Sequence, residues 1–150
     1  MTLRIILSNW DRIRTKLVET IDCFEEQDLS FHPRSGLWTV RELMIHIAHE
    51  EMGEVGFGII QELQEWPPDY DPSDYETIDS IKRLLSAVHA HTLDYLETLT
   101  DADLGRTVTA PWDEEYLLGD MVGHVIEHEV HHRGELSLIL GLLGRTAPDA

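Results

Sequence analysis

Four stretches of this chain repeat apolar residues at helical spacing, and that pattern constrains the fold more than any other feature. Leu3, Ile6, Leu7, Trp10, Ile13, Leu17, Ile21 and Phe24 make one stripe and predict a first helix over about residues 3 to 26. His32, Pro33, Ser35 and Gly36 interrupt it. Thr39 and Glu42 then stand at capping-box spacing, so a second helix is expected from near Val40 to about Leu63. The run from Trp66 to Asp74 holds three prolines and no periodicity, which makes it a loop. Ser73 and Glu76 repeat the capping-box spacing. Beyond them Tyr75, Ile78, Ile81, Leu85, Val88, Tyr95 and Leu99 carry a third stripe toward Asp101.

A turn-rich stretch from Asp101 to Asp113 leads to the last helix, expected from about Leu117 to Leu143 with Gly144 as its C-terminal cap. No long stretch alternates with period two. Four amphipathic helices in 150 residues can bury their stripes only against one another, so the expected fold is an all-α four-helix bundle, one domain over residues 1–150. A chain of this size buries roughly 70% of the surface its unfolded form exposes, enough for one core.

Charge narrows the partners. The chain has 29 acidic against 11 basic residues, a net charge of −18 that repels phosphate backbones and anionic headgroups, so neither nucleic acid nor a membrane is an expected partner. No run of about 18 apolar residues lacks a charge, and the apolar opening meets Asp11 too early for a signal peptide. A soluble, cytoplasmic protein is expected. The single Cys23 fits a reducing compartment and reads as a small buried hydrophobe rather than a nucleophile.

Nine histidines are present, and four of them, His124, His128, His131 and His132, fall on the last helix. With His128 set to zero on a helical wheel, His132 lies at about +40°, His124 at about −40° and His131 at about −60°. Leu118, Val122, Val125, Leu136, Leu140 and Leu143 centre near about +90°, so His128 and His132 point closest to the core. Imidazoles one turn apart can converge on a metal about 2.1 Å from each nitrogen, whereas His124 and His132 are separated by about 12 Å of rise. The third ligand must come from another helix.

On the second helix, Val40, Leu43 and Ile47 direct His46 and Glu50 toward the core and His49 away from it. A metal site of His46, His128 and His132 is therefore expected. A core-facing Glu50 needs a partner, which a ligating imidazole or a metal-bound water would supply. His32, His89 and His91 have no partner pattern and read as surface residues. Trp38, Trp66 and Trp112 read mainly as packing caps at helix entrances and loops, with contact to a substrate as the lesser alternative.

Residues 124–144, HVIEHEVHHRGELSLILGLLG, together with residues 38–51, WTVRELMIHIAHEE, resemble the DinB family of DinB/YfiT-like metalloenzymes, and the resemblance spans nearly the whole chain. It implies the same ligands, His46, His128 and His132. It also implies an up-down-down-up bundle with the proline-rich loop as long crossover, and a homodimer. Gly134 and Gly141 would suit the close approach of another helix, whether of this chain or of a second copy.

Three nitrogen ligands leave a coordination position open, as catalytic sites do, and suit zinc or nickel first, with iron and copper also possible. The resemblance implies a transferase or isomerase using a low-molecular-weight thiol cosubstrate on a small-molecule substrate. The metal would ionise a thiol whose ordinary pKa is about 8.5, Glu50 would orient His46 or take the proton, and Arg133 would bind a carboxylate of the substrate or thiol. Two other readings use the same site. One is metal-assisted hydrolysis with Glu50 as general base. The other is a non-catalytic binding or stress protein in which the metal staples helices two and four together.

Overall fold

A computed structural model describes residues 2–110 and 112–149. Four helices dominate: α1, Leu3–Ile21; α2, Val40–Gly53; α3, Ile78–Leu96; and α4, Leu118–Leu142. Two apolar clusters fix their directions. At one end, Leu17 and Ile21 from the close of α1 meet Val40 and Met44 from the start of α2, Ile81 and Leu85 from the start of α3, and Leu136 and Leu140 from the close of α4. At the other, Ile6 and Trp10 pack with Leu96, Leu118 and Val122. Helices α2 and α3 therefore run parallel to each other and antiparallel to α1 and α4, the up-down-down-up order that needs a long crossover.

Local chemistry sets several boundaries where the sequence puts them. Thr39 accepts the amide of Glu42 at 3.2 Å, and Glu42 returns the bond to the Thr39 amide at 2.7 Å, so α2 opens on a complete capping box. At the other end of the chain Gly144 has φ +76°, and the Arg145 amide donates to the Leu140 carbonyl at 2.8 Å, closing α4 with a Schellman turn. Among the described residues, nothing beyond the adjoining turns of α4 itself lies within 4 Å of where a Cβ on Gly134 or Gly141 would sit, so close packing against another helix of the monomer is not their role.

Four boundaries differ from expectation. Helix α1 stops at Ile21, and a 3-10 turn over Glu26–Ser30 follows, opened by a capping box between Glu25 and Asp28. Helix α2 ends at Gly53 and continues as a π-helical turn, Glu54–Ile59, because three glycines, Gly53, Gly56 and Gly58, weaken the α ladder there. Helix α3 is capped by Thr77, whose side chain accepts the Ser80 amide at 3.1 Å, and not by Ser73, which is bound up in a turn with Asp71. The turn-rich stretch holds two short antiparallel strands, β1 (Thr107–Thr109) and β2 (Glu115–Leu117), too brief to show as alternation.

The crossover between α2 and α3 docks on α2 through one close contact. A Cβ added to Gly53 would lie 2.4 Å from Cζ2 of Trp66, inside any tolerable separation. Gly53→Ala would gain up to about 1 kcal/mol of helix propensity but force the indole out, at about 1–3 kcal/mol. A net loss of about 1 kcal/mol in urea-melt stability is the expected result. An unchanged melt would mean that the loop is not held by Trp66.

No helix among the described residues is long and apolar enough to cross a membrane. Cys23 is half-buried against the first apolar cluster, in keeping with a packing role.

Candidate metal centre

His46 lies between buried Ile45 and Ile47 on α2, while His128 and His132 are one turn apart on α4. Because the two helices are antiparallel neighbours, the three rings meet. Nε2 of His128 is 3.2 Å from Nε2 of His46 and 3.0 Å from Nε2 of His132. One nitrogen of each ring falls within 4.8 Å of the others. Nδ1 of His132 pairs with Glu135 Oε2, 2.6 Å away, which turns its Nε2 toward His128.

That convergence fits a cation. A tetrahedral metal about 2.1 Å from each nitrogen would hold the nitrogens roughly 3.4 Å apart, close to the spacing here. Burial first, and the neighbouring His132 next, push His46 down to about 4. Burial, then His132 and His46, push His128 down to about 3. Both rings are neutral at pH 7, the state in which nitrogen can ligate.

Glu50 is half-buried one turn beyond His46, with Oε1 3.7 Å from Nδ1 of both His46 and His49, beyond hydrogen-bonding reach. Burial raises its carboxyl above the ordinary range, more than His49 and His132 lower it. The carboxylate that grips a converging ring is instead Glu135, three residues after His132 on the same helix face. The His-x-x-Glu spacing was its signal in the sequence. His46, His49 and Glu50 form a second possible ligand group, and His131, His132 and Glu135 a third. Only the first set brings three imidazoles together.

The remaining expectations divide. His124 turns to Glu54, with Nε2 3.2 Å from Oε1, and His131 sits 3.4 Å from Glu135, so neither joins the cluster. Arg133 makes no side-chain hydrogen bond or ion pair among the described residues and lines neither cavity beside the histidines. His49 does point away from the bundle axis, yet it is only 5% exposed, because the crossover covers that flank and the ring lies 3.0 Å from the Pro67 carbonyl. His89, read as a surface residue, is buried edge-on against Trp10 with Nδ1 2.8 Å from Glu51 Oε1. His32 is exposed, and His91 pairs with Glu62 at the surface.

Glu51, His89 and Trp10 belong to a buried charge layer that separates the two apolar clusters, and no local pattern of residues marks it. The guanidinium of Arg14 binds Glu51 and, at 2.9 Å, Glu129. Trp10 Nε1 donates to Glu129 at 2.8 Å. Burial works to raise Glu51, but His89 and Arg14 outweigh it and hold that carboxyl below its usual range. Burial prevails at Glu129 and raises it. Glu54, buried near Glu50 and Glu51, is pushed up to about 8 by burial and then by those two charges.

Two cavities flank the histidines and share Trp38 as a wall. One, about 350 Å³, is lined by Pro33, Gly36, Leu37, Trp38, Leu43, Glu135, Leu138 and Ile139. The other, about 250 Å³, is lined by Trp38, Glu42, Ile45, His46, His49, Asp69, Tyr70 and Pro72. Trp38 is half exposed, its ring 4.3 Å from that of His46, and so serves as a cover for the cluster more than as a packing cap.

Comparison with known proteins gives a consistent result. The family model of the DinB superfamily matches residues 9–136. The "Uncharacterized protein YizA" of Bacillus subtilis is 32% identical over 68 residues, 44% of this chain and only 43% of that protein. A "Putative metal-dependent hydrolase" of Oceanobacillus iheyensis is 25% identical over 89% of this chain and 85% of its own length. The "Putative metal-dependent hydrolase YfiT" of Bacillus subtilis is 24% identical over 89% and 82%. Among solved structures, a DinB-like protein from Bacillus cereus superposes with a TM-score of 0.83 at 20% identity, covering 99% of this chain and 97% of the other. YfiT, described with its structure as having "an unusual four-helix bundle topology", superposes with a TM-score of 0.73 at 22% identity, covering 96% and 89%.

Proposed function

The chain belongs to the DinB superfamily, and from that membership and its three convergent imidazoles we propose that it is a metal-dependent hydrolase of small molecules. His46, His128 and His132 hold one divalent ion, zinc or nickel by ligand type. The observation behind this is the meeting of three Nε2 atoms, at 3.0 and 3.2 Å about His128. Hydrolysis, rather than another reaction, is the activity named for two relatives that each align with 89% of the chain.

A divalent ion held by three nitrogens supplies Lewis acidity at an open position, which lowers the pKa of an attacking water toward about 7. The protein does the rest. Glu135 fixes His132 in the tautomer that leaves Nε2 free. Burial keeps His46 and His128 neutral, and Trp38 screens His46 from bulk water. Glu50, its carboxyl raised by burial and its Oε1 3.7 Å from Nδ1 of His46, would accept the proton of the attacking water as general base.

Thiol-dependent transfer would use the same ligands. The cavity walls work against an anionic thiol such as glutathione, since they contain Glu42, Asp69 and Glu135 but no lysine or arginine. Assay of the metal-loaded protein against a panel of esters and amides, with and without added thiol, decides between the two. Turnover without thiol, abolished by a chelator, is expected. Turnover that appears only with thiol would reassign the chemistry to transfer, and unfolding on chelation with no turnover under any condition would favour the stapling role.

A further inference from the structure

Of eight large hydrophobic side chains exposed among the described residues, three, Leu37, Trp38 and Leu138, face a single slot beside the histidines. Their exposures are 56%, 50% and 66%. Side chains of this size left bare around one concavity mark a place where an apolar ligand is covered. The slot is built rather than accidental. Gly36, at φ +86°, turns the chain so that Leu37 donates its amide to the Arg34 carbonyl at 3.1 Å, and Val40 donates to Phe31 at 2.9 Å. That short loop is thereby folded down toward the last turns of α4, which contribute Leu138 and Ile139.

Two residues connect the slot to the cluster. Trp38 forms its wall and lies over His46, and Glu135 lines it while holding His132. A molecule with one end in the slot therefore lies against the two side chains, Trp38 and Glu135, that touch the converging histidines. At about 350 Å³ the slot is at the small end of ligand sites, room for a phenyl ring or a short aliphatic chain. Charge sets the second requirement. Glu42, Asp69 and Glu135 line the two cavities with no lysine or arginine among the lining residues, in a protein of net charge −18. Glu50 adds a fourth carboxylate beside His46. Away from the ion itself, an anionic group on the substrate would find these carboxylates and no lysine or arginine to pair with.

We propose that the substrate is an uncharged ester or amide with one compact apolar arm, and that the arm occupies the slot formed by Pro33, Leu37, Trp38, Leu138 and Ile139. This rests on the hydrolytic reading for the reaction, but the slot's preference can be measured apart from turnover. The probes are 3-phenylpropanamide and 3-phenylpropanesulfonate, which share an arm and differ in head charge; a sulfonate is also a weak ligand for divalent ions.

Binding of each to the metal-loaded protein is measured by titration calorimetry, in wild type and in Leu138→Lys, a substitution at a position exposed enough not to disturb folding. Wild type is expected to bind the amide at least about tenfold tighter than the sulfonate. Leu138→Lys is expected to weaken the amide by about tenfold and tighten the sulfonate. Equal or tighter binding of the sulfonate by wild type, binding of neither probe, or a Leu138→Lys protein that keeps the wild-type preference would each overturn the proposal. Absence of ester or amide turnover alongside an intact preference would sink the hydrolytic reading and leave the slot's specificity standing.

Discussion

Replacing Arg14 with leucine is expected to remove about 3–5 kcal/mol of folding stability, the largest single loss in the molecule outside the apolar clusters. The guanidinium is the shared partner of two carboxylates, Glu51 and Glu129, each only 2% exposed. Without it both acids stay in the interior, where among the described residues Glu51 keeps His89 and Thr92, and Glu129 keeps the indole of Trp10. A surface ion pair would be worth under about 1 kcal/mol, so burial is what makes the effect large. Urea melts of Arg14→Leu, Glu51→Leu and the double variant measure it. The double variant is expected to be less unstable than the sum of the two singles, because each single removes one side of the Arg14–Glu51 pair and leaves the other buried with fewer partners. Strictly additive losses would show that the three groups do not act as one network.

The second large effect falls on catalysis. Glu50→Gln is expected to lower kcat by about 10²–10⁴-fold, the range for loss of a general base, while metal content stays at the wild-type level. Retained metal is the decisive companion reading, since Glu50 Oε1 lies 3.7 Å from His46 Nδ1, too far to orient that ring by a hydrogen bond. Glu50→Asp should recover part of the rate. If Glu50→Gln lost the metal as well, Glu50 would be a ligand, as the alternative grouping of His46, His49 and Glu50 would have it.

What could be read from the sequence was what local chemistry decides. The Thr39–Glu42 box and the Gly144 turn depend on residues within one helical turn, and both are in place. The preference for His46 over His49 needed only a wheel, because the direction of a core is set by a helix's own apolar residues. The same wheel could not show that the crossover folds back over His49, nor that Trp66 lies on Gly53. Those are contacts made by a segment with no periodicity.

The charge layer was hidden for a related reason. Arg14, Glu51, His89 and Glu129 sit on four different helices, and each alone looks like an ordinary surface residue. Only their meeting makes them a unit. Val55, Ile59 and Ile60 continue an apolar pattern that extends α2 on paper, while the three glycines among them let the backbone widen into a π turn. Glu135 stands at His-x-x-Glu spacing from His132, whereas a helical wheel singles out Glu50 as the core-facing acid. The residue that grips His132 is instead partly exposed, at the rim of the site.

Everything said of chemistry depends on one ion held by three rings, and metal content tests that most directly. Wild type, His46→Ala, His128→Ala, His132→Ala and His124→Ala are purified without tags under identical conditions, reconstituted with zinc or nickel, desalted and measured by elemental mass spectrometry. About one ion per chain is expected in wild type and in His124→Ala, whose ring is turned to Glu54, with loss in the other three variants. A wild type that retains no metal, or a His124→Ala protein that alone loses it, would contradict the three-histidine site.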